Sequence, residues 1–229
     1  MRVREFVSRT VLDAVFPPQC ALCGAGGALL CAACEAVLPR ADGSRCVRCW
    51  MRLASGGVCR HCAEEPPAFM SLRAACVMDG GARRLAHELK YEGMTSLAEP
   101  MARMLASHAA GIDALVVPVP LHPARERRRG YNQAAELANH AGRMLGLSWD
   151  RRAVRRTRDT QPLVKAMGRA ERRRIVAGAF LADPARVEGR AIVLIDDVAT
   201  TGATLDACAR ALADAGATKV LALAWARAD

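Results

Sequence analysis

From residue 71 onward the chain alternates between two hydrophobic rhythms. Short apolar runs at residues 71–78, 113–117, 192–195 and 219–225 carry little polar punctuation and read as strands buried on both faces. Between them, residues 82–91, 96–110 and 131–145 repeat their apolar positions at helical spacing; Ala134, Leu137, Ala138, Ala141 and Leu145 fall on one face of the last. The alternation predicts an α/β fold, a mostly parallel sheet flanked by helices, with ligands bound at the carboxyl ends of the strands. Residues 1–16 read as an amphipathic N-terminal helix, residues 17–63 as a cysteine-rich module without apolar rhythm, and Glu64-Glu65-Pro66-Pro67 as a linker. The α/β domain is expected over residues 68–229.

The run Ile192 to Ile195 is followed at once by Asp196 and Asp197, then by Thr200, Thr201, Gly202, Ala203 and Thr204. Carboxylates at a strand's carboxyl end can hold sugar hydroxyls. A turn of small, hydroxyl-bearing residues lets backbone N–H groups close on a phosphate at the start of the next helix. The same residues would also suit an ordinary strand-to-helix turn, but that reading explains neither the doubled Asp nor the Thr-Gly-x-Thr spacing.

Eight of the ten cysteines form four Cys-x-x-Cys knuckles, Cys20/Cys23, Cys31/Cys34, Cys46/Cys49 and Cys59/Cys62. Four knuckles suffice for two tetrahedral four-thiolate zinc sites, closed and therefore structural. Sequential and interleaved pairings both satisfy the spacing. Disulfides would need an oxidising compartment, whereas Arg2, Arg4, Glu5, Arg9 and Asp13 interrupt the amino terminus and leave no apolar leader core. Strict two-residue gaps would also suit an iron–sulfur cluster. His61 lies inside the last knuckle as a possible substitute ligand or a bystander, and Cys76 and Cys208 stand apart as core thiols.

Composition adds two constraints. Aromatic residues are 4% of the chain, so the core must be aliphatic, and no apolar stretch approaches the ~20 residues that span a bilayer; a soluble, cytoplasmic protein without membrane insertion is expected. Residues 121–180 hold fifteen Arg and Lys against five acids, an excess equal to the +10 of the whole chain. Within that segment, Pro118 to Pro123 stiffen a loop leading to Arg125, Arg127, Arg129, Gly130, Tyr131, Asn132 and Gln133, a basic turn suited to pyrophosphate or to a nucleic-acid backbone. A solvated arginine surface is the plain alternative, with Tyr131 and Trp149 as the segment's stacking aromatics.

The loop at 192–204 resembles the phosphoribosyl-pyrophosphate (PRPP) loop of type I phosphoribosyltransferases. That resemblance implies ribose contacts for Asp196 and Asp197 and 5′-phosphate contacts for Thr200 to Thr204. With Val-Pro-Val-Pro-Leu-His and Arg-Arg-Gly-Tyr-Asn-Gln at 117–133, Arg156-Thr157-Arg158-Asp159-Thr160-Gln161 with Glu171-Arg172, and Lys90-Tyr91, the chain is similar to the ComF family. This family is competence-associated and joins a double zinc ribbon to a phosphoribosyltransferase-like domain. Ile175 departs from the Asn usual there. The resemblance implies two structural zinc ions and Mg²⁺ entering with PRPP. It also implies a hood over residues 151–174 carrying Arg156, Arg158 and Gln161, the two arginines catalytic with the acidic pair, and a role in DNA uptake beside competence-machinery proteins. The expected activity is phosphoribosyl transfer to an unidentified acceptor. Its alternative is a non-catalytic accessory protein for single-stranded DNA with a regulatory or vestigial PRPP site, and a zinc-ribbon adaptor is a third reading.

Overall fold

The computed structural model of the protein describes residues 17–160 and 168–228. The expected helix at 1–16 and the candidate Gln161 lie outside them. Two compact units divide at Leu38/Pro39.

The first unit is organised by cysteines. The bridge between Gln19 and Gly26 and the bond from Cys20 N–H to Ala25 O (2.8 Å) close one knuckle; Cys31 caps helix α1 (Ala32–Ala36), its sulfur accepting from the Cys34 N–H at 3.4 Å.

The second unit repeats that device and then builds the sheet. Cys59 caps helix α2 (Arg60–Glu64) as Cys31 caps α1. There follow β1 (Ser71–Val77), α3 (Gly80–Tyr91), α4 (Ala98–Ala106), β2 (Leu115–Pro118), α5 (Pro123–Arg129), α6 (Gln133–Leu145), β3 (Val154–Arg156), α7 (Arg169–Val176), β4 (Phe180–Ala182), α8 (Pro184–Val187), β5 (Ala191–Ala199), α9 (Ala203–Asp214) and β6 (Lys219–Arg227). Strands β1, β6, β5 and β2 pair in that order, all parallel; β3 and β4 make a separate antiparallel ribbon.

The apolar run of β5 explains its central place. Ile192 and Leu194 share a core with Leu205, Cys208, Ala209 and Leu212 of α9, while Val193 and Ile195 point the other way and are no more exposed. Period-two alternation in a strand buried on both faces requires apolar residues at every position. Pairing with β6 carries β5 beyond Ile195 to Ala199, so the acidic pair lies within the strand rather than just past it.

Residues 39–53 line the outer edge of β1. The Ala41 N–H bonds to Ala75 O, and the N–H groups of Leu72 and Val77 bond to Arg48 O and Pro39 O. An edge that would otherwise offer unpaired backbone groups is thereby covered. Cys46, Cys49, Cys59 and Cys62 belong to this same unit, with Met51 and Leu53 packed against them.

Candidate functional site

Because side chains alternate along a strand, the two acidic residues of β5 diverge. Asp197 faces α3 and α6, where Lys90 Nζ lies 2.6 Å from one carboxylate oxygen and Gln133 Nε2 donates to the other at 3.4 Å. Asp196 faces the side of Arg156 and Cys208, and one of its oxygens accepts the Asp197 N–H at 2.9 Å. Both are buried. Burial, reinforced by the charge on Asp197, holds the Asp196 carboxyl well above the usual range; burial would raise Asp197 as well, but the Lys90 ammonium overcomes it and holds Asp197 low. Burial and Lys90 thus set the two carboxyls apart, Asp196 toward the neutral form and Asp197 toward the charged one.

The turn beyond them is set by Gly202, whose left-handed φ of 80° side chains rarely adopt and above which a Cβ would sit 3.8 Å from Phe69. Thr201 Oγ1 accepts the Ala203 N–H at 3.3 Å, and α9 begins there. Thr200 is exposed, Thr201 and Thr204 are half-buried, and Gly202 and Ala203 are buried. Four-residue helix starts leave N–H groups without intrahelical partners, which is the anion-binding feature of such a turn.

The basic loop reaches the same end of the sheet. Its rigidity comes from His122, which caps α5 by accepting the Ala124 N–H at 3.3 Å, and from Asn132, buried, which donates to Val119 O and accepts the Ala134 N–H, both at 3.0 Å. Arg125 pairs with Asp159 at 2.9 Å and donates to Thr160 O; Arg156 donates to the Thr160 hydroxyl and lies over the Phe180 ring. Desolvation, then the neighbouring Arg125, lowers the Arg156 pKa. Two guanidiniums held this closely, one of them buried, bring fork-shaped donors together at this end of the sheet. Arg158 is exposed and donates to Ala177 O; Arg127 is exposed; Gly130 ends α5 in the left-handed region. Arg129 donates to Gln133 and lies 5.4 Å from the Tyr91 ring centroid, while the Tyr131 hydroxyl donates to Leu89 O.

In the sequence Lys90 stands out only through the family resemblance, and the pairing with Asp197 gives it a place in the site. Tyr91, 63% exposed, lines a cavity of about 480 Å³ with Lys90, Arg125, Arg128, Arg129 and Tyr131. Its stacking potential was missed because it precedes the arginine-rich segment. Trp149, by contrast, sits in a bridge to Val116 at the sheet edge.

Each cysteine quartet brings its four sulfurs within 4.8 Å of one another, and the pairing is sequential: Cys20/Cys23/Cys31/Cys34 and Cys46/Cys49/Cys59/Cys62. Four sulfurs at about 2.3 Å from one ion stand roughly 3.8 Å apart. Cys23 and Cys31 Sγ are 3.7 Å apart, as are Cys49 and Cys59 Sγ, so the residues fit zinc. Burial acts to raise Cys46 and Cys20, yet surrounding backbone N–H groups bring each down to about 6, one thiol in each quartet, while Cys34, Cys49 and Cys62 are pushed up. Cys76 and Cys208 are fully buried.

A phosphoribosyltransferase-type sheet with a zinc-ribbon module is thus the class that fold and site define. Residues 11–63 match the double zinc ribbon domain and residues 124–228 the phosphoribosyl transferase domain. The chain is 31% identical over 217 residues to the DNA utilization protein YhgH of Escherichia coli K12, spanning 89% of this chain and 94% of that one. It is 25% identical to Competence protein F of Haemophilus influenzae (86% and 96%) and 26% identical to Competence protein ComFC of Bacillus subtilis (82% and 79%). Among solved structures, glutamine PRPP amidotransferase from B. subtilis is 21% identical with a TM-score of 0.42, over 60% of this chain and 30% of that one. The chain belongs to the ComF family. Among its described residues, no helix is long and apolar enough to cross a membrane.

Proposed function

We propose that the protein binds PRPP at the end of β5 and transfers its phosphoribosyl group in the service of DNA uptake. The observation that carries this reading is the buried Asp196–Asp197 pair leading directly into the Thr200–Thr204 turn, opposite Arg125 and Arg156. The names of the relatives, DNA utilization and competence proteins, support the biological setting.

The turn's amides and hydroxyls hold the 5′-phosphate, the acidic pair holds the ribose hydroxyls, and Arg125 and Arg156 receive the pyrophosphate. An acceptor atom bonds to C1 as the C1–O bond breaks, the electron pair leaving with pyrophosphate and the acceptor's proton passing to solvent. Arginines matter more than a strong base here, because negative charge builds on the leaving group. Asp196 and Asp197 are the residues that would lie nearest a Mg²⁺ entering with PRPP, which would supply charge neutralisation on the pyrophosphate. Calorimetry of PRPP binding with and without Mg²⁺, on wild type and Asp197→Asn, tests the reading: magnesium-dependent binding, abolished by the substitution, is expected. Failure of folded, zinc-loaded wild type to bind PRPP would sink it.

One observation favours a second reading, in which the surface holds single-stranded DNA. Tyr91 offers an exposed ring with the Arg129 guanidinium 5.4 Å from its centroid, at the rim of a basic cavity. Bases stack on such rings without sequence preference. Tyr91→Ala should weaken single-stranded DNA binding about tenfold, the low end of the roughly 1–3 kcal/mol per stacked base; unchanged affinity would remove this reading.

A further inference from the structure

Arg227 is the last residue of β6, at the end of a run that is apolar from Val220 to Ala226, and it is 1% exposed. A buried guanidinium needs acceptors for a fan of five donors. Two of the regions that supply partners differ in chemistry. Nε donates to Cys49 O at 3.1 Å, the carbonyl of a residue in the second cysteine quartet. Nη1 donates to Ala199 O at 3.1 Å, the last carbonyl of β5 before Thr200, and to Ala228 O at 2.9 Å. The side chain thus links one knuckle to the residue from which the Thr200–Thr204 turn departs.

The Cys49 carbonyl is held in position from its other side. Trp50 adopts a left-handed φ of 58°, the only non-glycine to do so among the described residues. That conformation costs on the order of 1 kcal/mol and persists only where the surroundings enforce it. Here Arg73 from β1 stacks on the Trp50 ring at 4.3 Å, and Arg45 accepts no freedom for the backbone, donating to Trp50 O at 3.0 Å. Cys49, His61 and Cys62 also share one small cleft with Thr201, Gly202 and Ala203, so quartet and turn are neighbours as well as being bonded through Arg227.

We infer that Arg227 is a positioning residue through which the metal-loaded second quartet holds the phosphate turn in its binding conformation, whereas the first quartet has no such effect. With the cysteines tied to one ion, the Cys49 carbonyl is held from the metal side as well as through Trp50; without the ion that hold loosens, leaving the turn's first carbonyl, Ala199 O, to its backbone bond from the Ala228 N–H at 2.9 Å. Binding linkage is reciprocal, so a ligand in the turn must retain zinc in the second quartet by the same factor with which zinc favours the ligand. The ligand half of this statement rests on the PRPP reading above; the structural half does not.

Hydrogen exchange on the zinc-loaded full chain tests both. In Arg227→Met, amides 199–204 and 46–50 should exchange about tenfold faster than in wild type, with β2 unchanged. Stripping zinc from wild type with a chelator should have the same effect on 199–204 once amides 46–62 lose protection, whereas Cys23→Ser, which removes only the first site, should not. Saturating PRPP should tighten equilibrium zinc binding by the second quartet of wild type about five- to tenfold, and not in Arg227→Met. Wild-type exchange at 199–204 in Arg227→Met overturns the inference; if that variant does not fold, wild-type exchange there after zinc is lost from the second quartet does so. Should PRPP not bind wild type at all, the PRPP reading fails and the exchange data still decide the role of Arg227.

Discussion

At the scale of single residues, the acidic pair sets stability against binding. Asp196 is buried with its pKa raised, so it favours the fold only while protonated: its contribution is complete below the ordinary Asp range and is lost as pH rises through the raised value. Asn, neutral throughout, loses nothing over that interval. Asp196→Asn should therefore raise unfolding free energy by about 1 kcal/mol at pH 7, with the gain vanishing near pH 4, while weakening PRPP binding. Asp197 has the opposite sign. Its lowered pKa contributes above the ordinary Asp range and is lost as pH falls through the lowered value, and Asp197→Asn strands Lys90 beside an amide, costing about 1–3 kcal/mol. Urea melts of both variants at pH 4 and 7 check the signs; destabilisation by Asp196→Asn at pH 7 would show that its carboxylate is instead a satisfied partner.

At the scale of elements, the two cysteine quartets look equivalent in sequence yet differ in what surrounds them. The second is bound into the sheet unit by Leu72 N–H to Arg48 O, by Arg73 on Trp50 and by Arg227 on Cys49 O. Cys62→Ser should lower the thermal midpoint of the sheet unit by about 5–10 °C, taking roughly 2–3 kcal/mol of lost bracing at about 2–4 °C per kcal/mol. Cys23→Ser should leave that midpoint unchanged, as calorimetry with zinc analysis would show. The strands were legible because burial on both faces writes continuous apolar runs, and the loop because its chemistry demands small residues in one fixed order. The bracing was not, since the identical Cys-x-x-Cys spacing carries no record of which carbonyl meets a distant arginine. Arg227 itself left one trace, a charge closing the apolar run Val220 to Ala226. The divergence of Asp196 from Asp197 was implicit in strand alternation, but the partners that split their protonation, Lys90 above all, come from helices far away in sequence.

At the scale of the whole molecule, several of the arginines are committed to ion pairs near the surface. Arg125 is tied to Asp159, Arg151 to Glu126, Arg173 to Glu65 and Arg186 to Asp150. What faces solvent near the cavity is therefore smaller than the sequence count suggests: Arg128, exposed on α5, lines it, and Arg127, its neighbour in sequence, is exposed as well. Phosphate contacts and base stacking can be separated by salt, because each neutralised phosphate of a single strand contributes about 0.7 to the slope of log affinity against log salt, and stacking contributes none. Replacing Arg127 and Arg128 together by Ala should reduce that slope by about 1.4 and weaken binding to every sequence alike. Tyr91→Ala should leave the slope as in wild type while lowering affinity at all salt concentrations. If instead both variants keep the wild-type slope and affinity for an oligothymidine, the arginines are a solvated face, and the charge of the chain serves the pyrophosphate site alone.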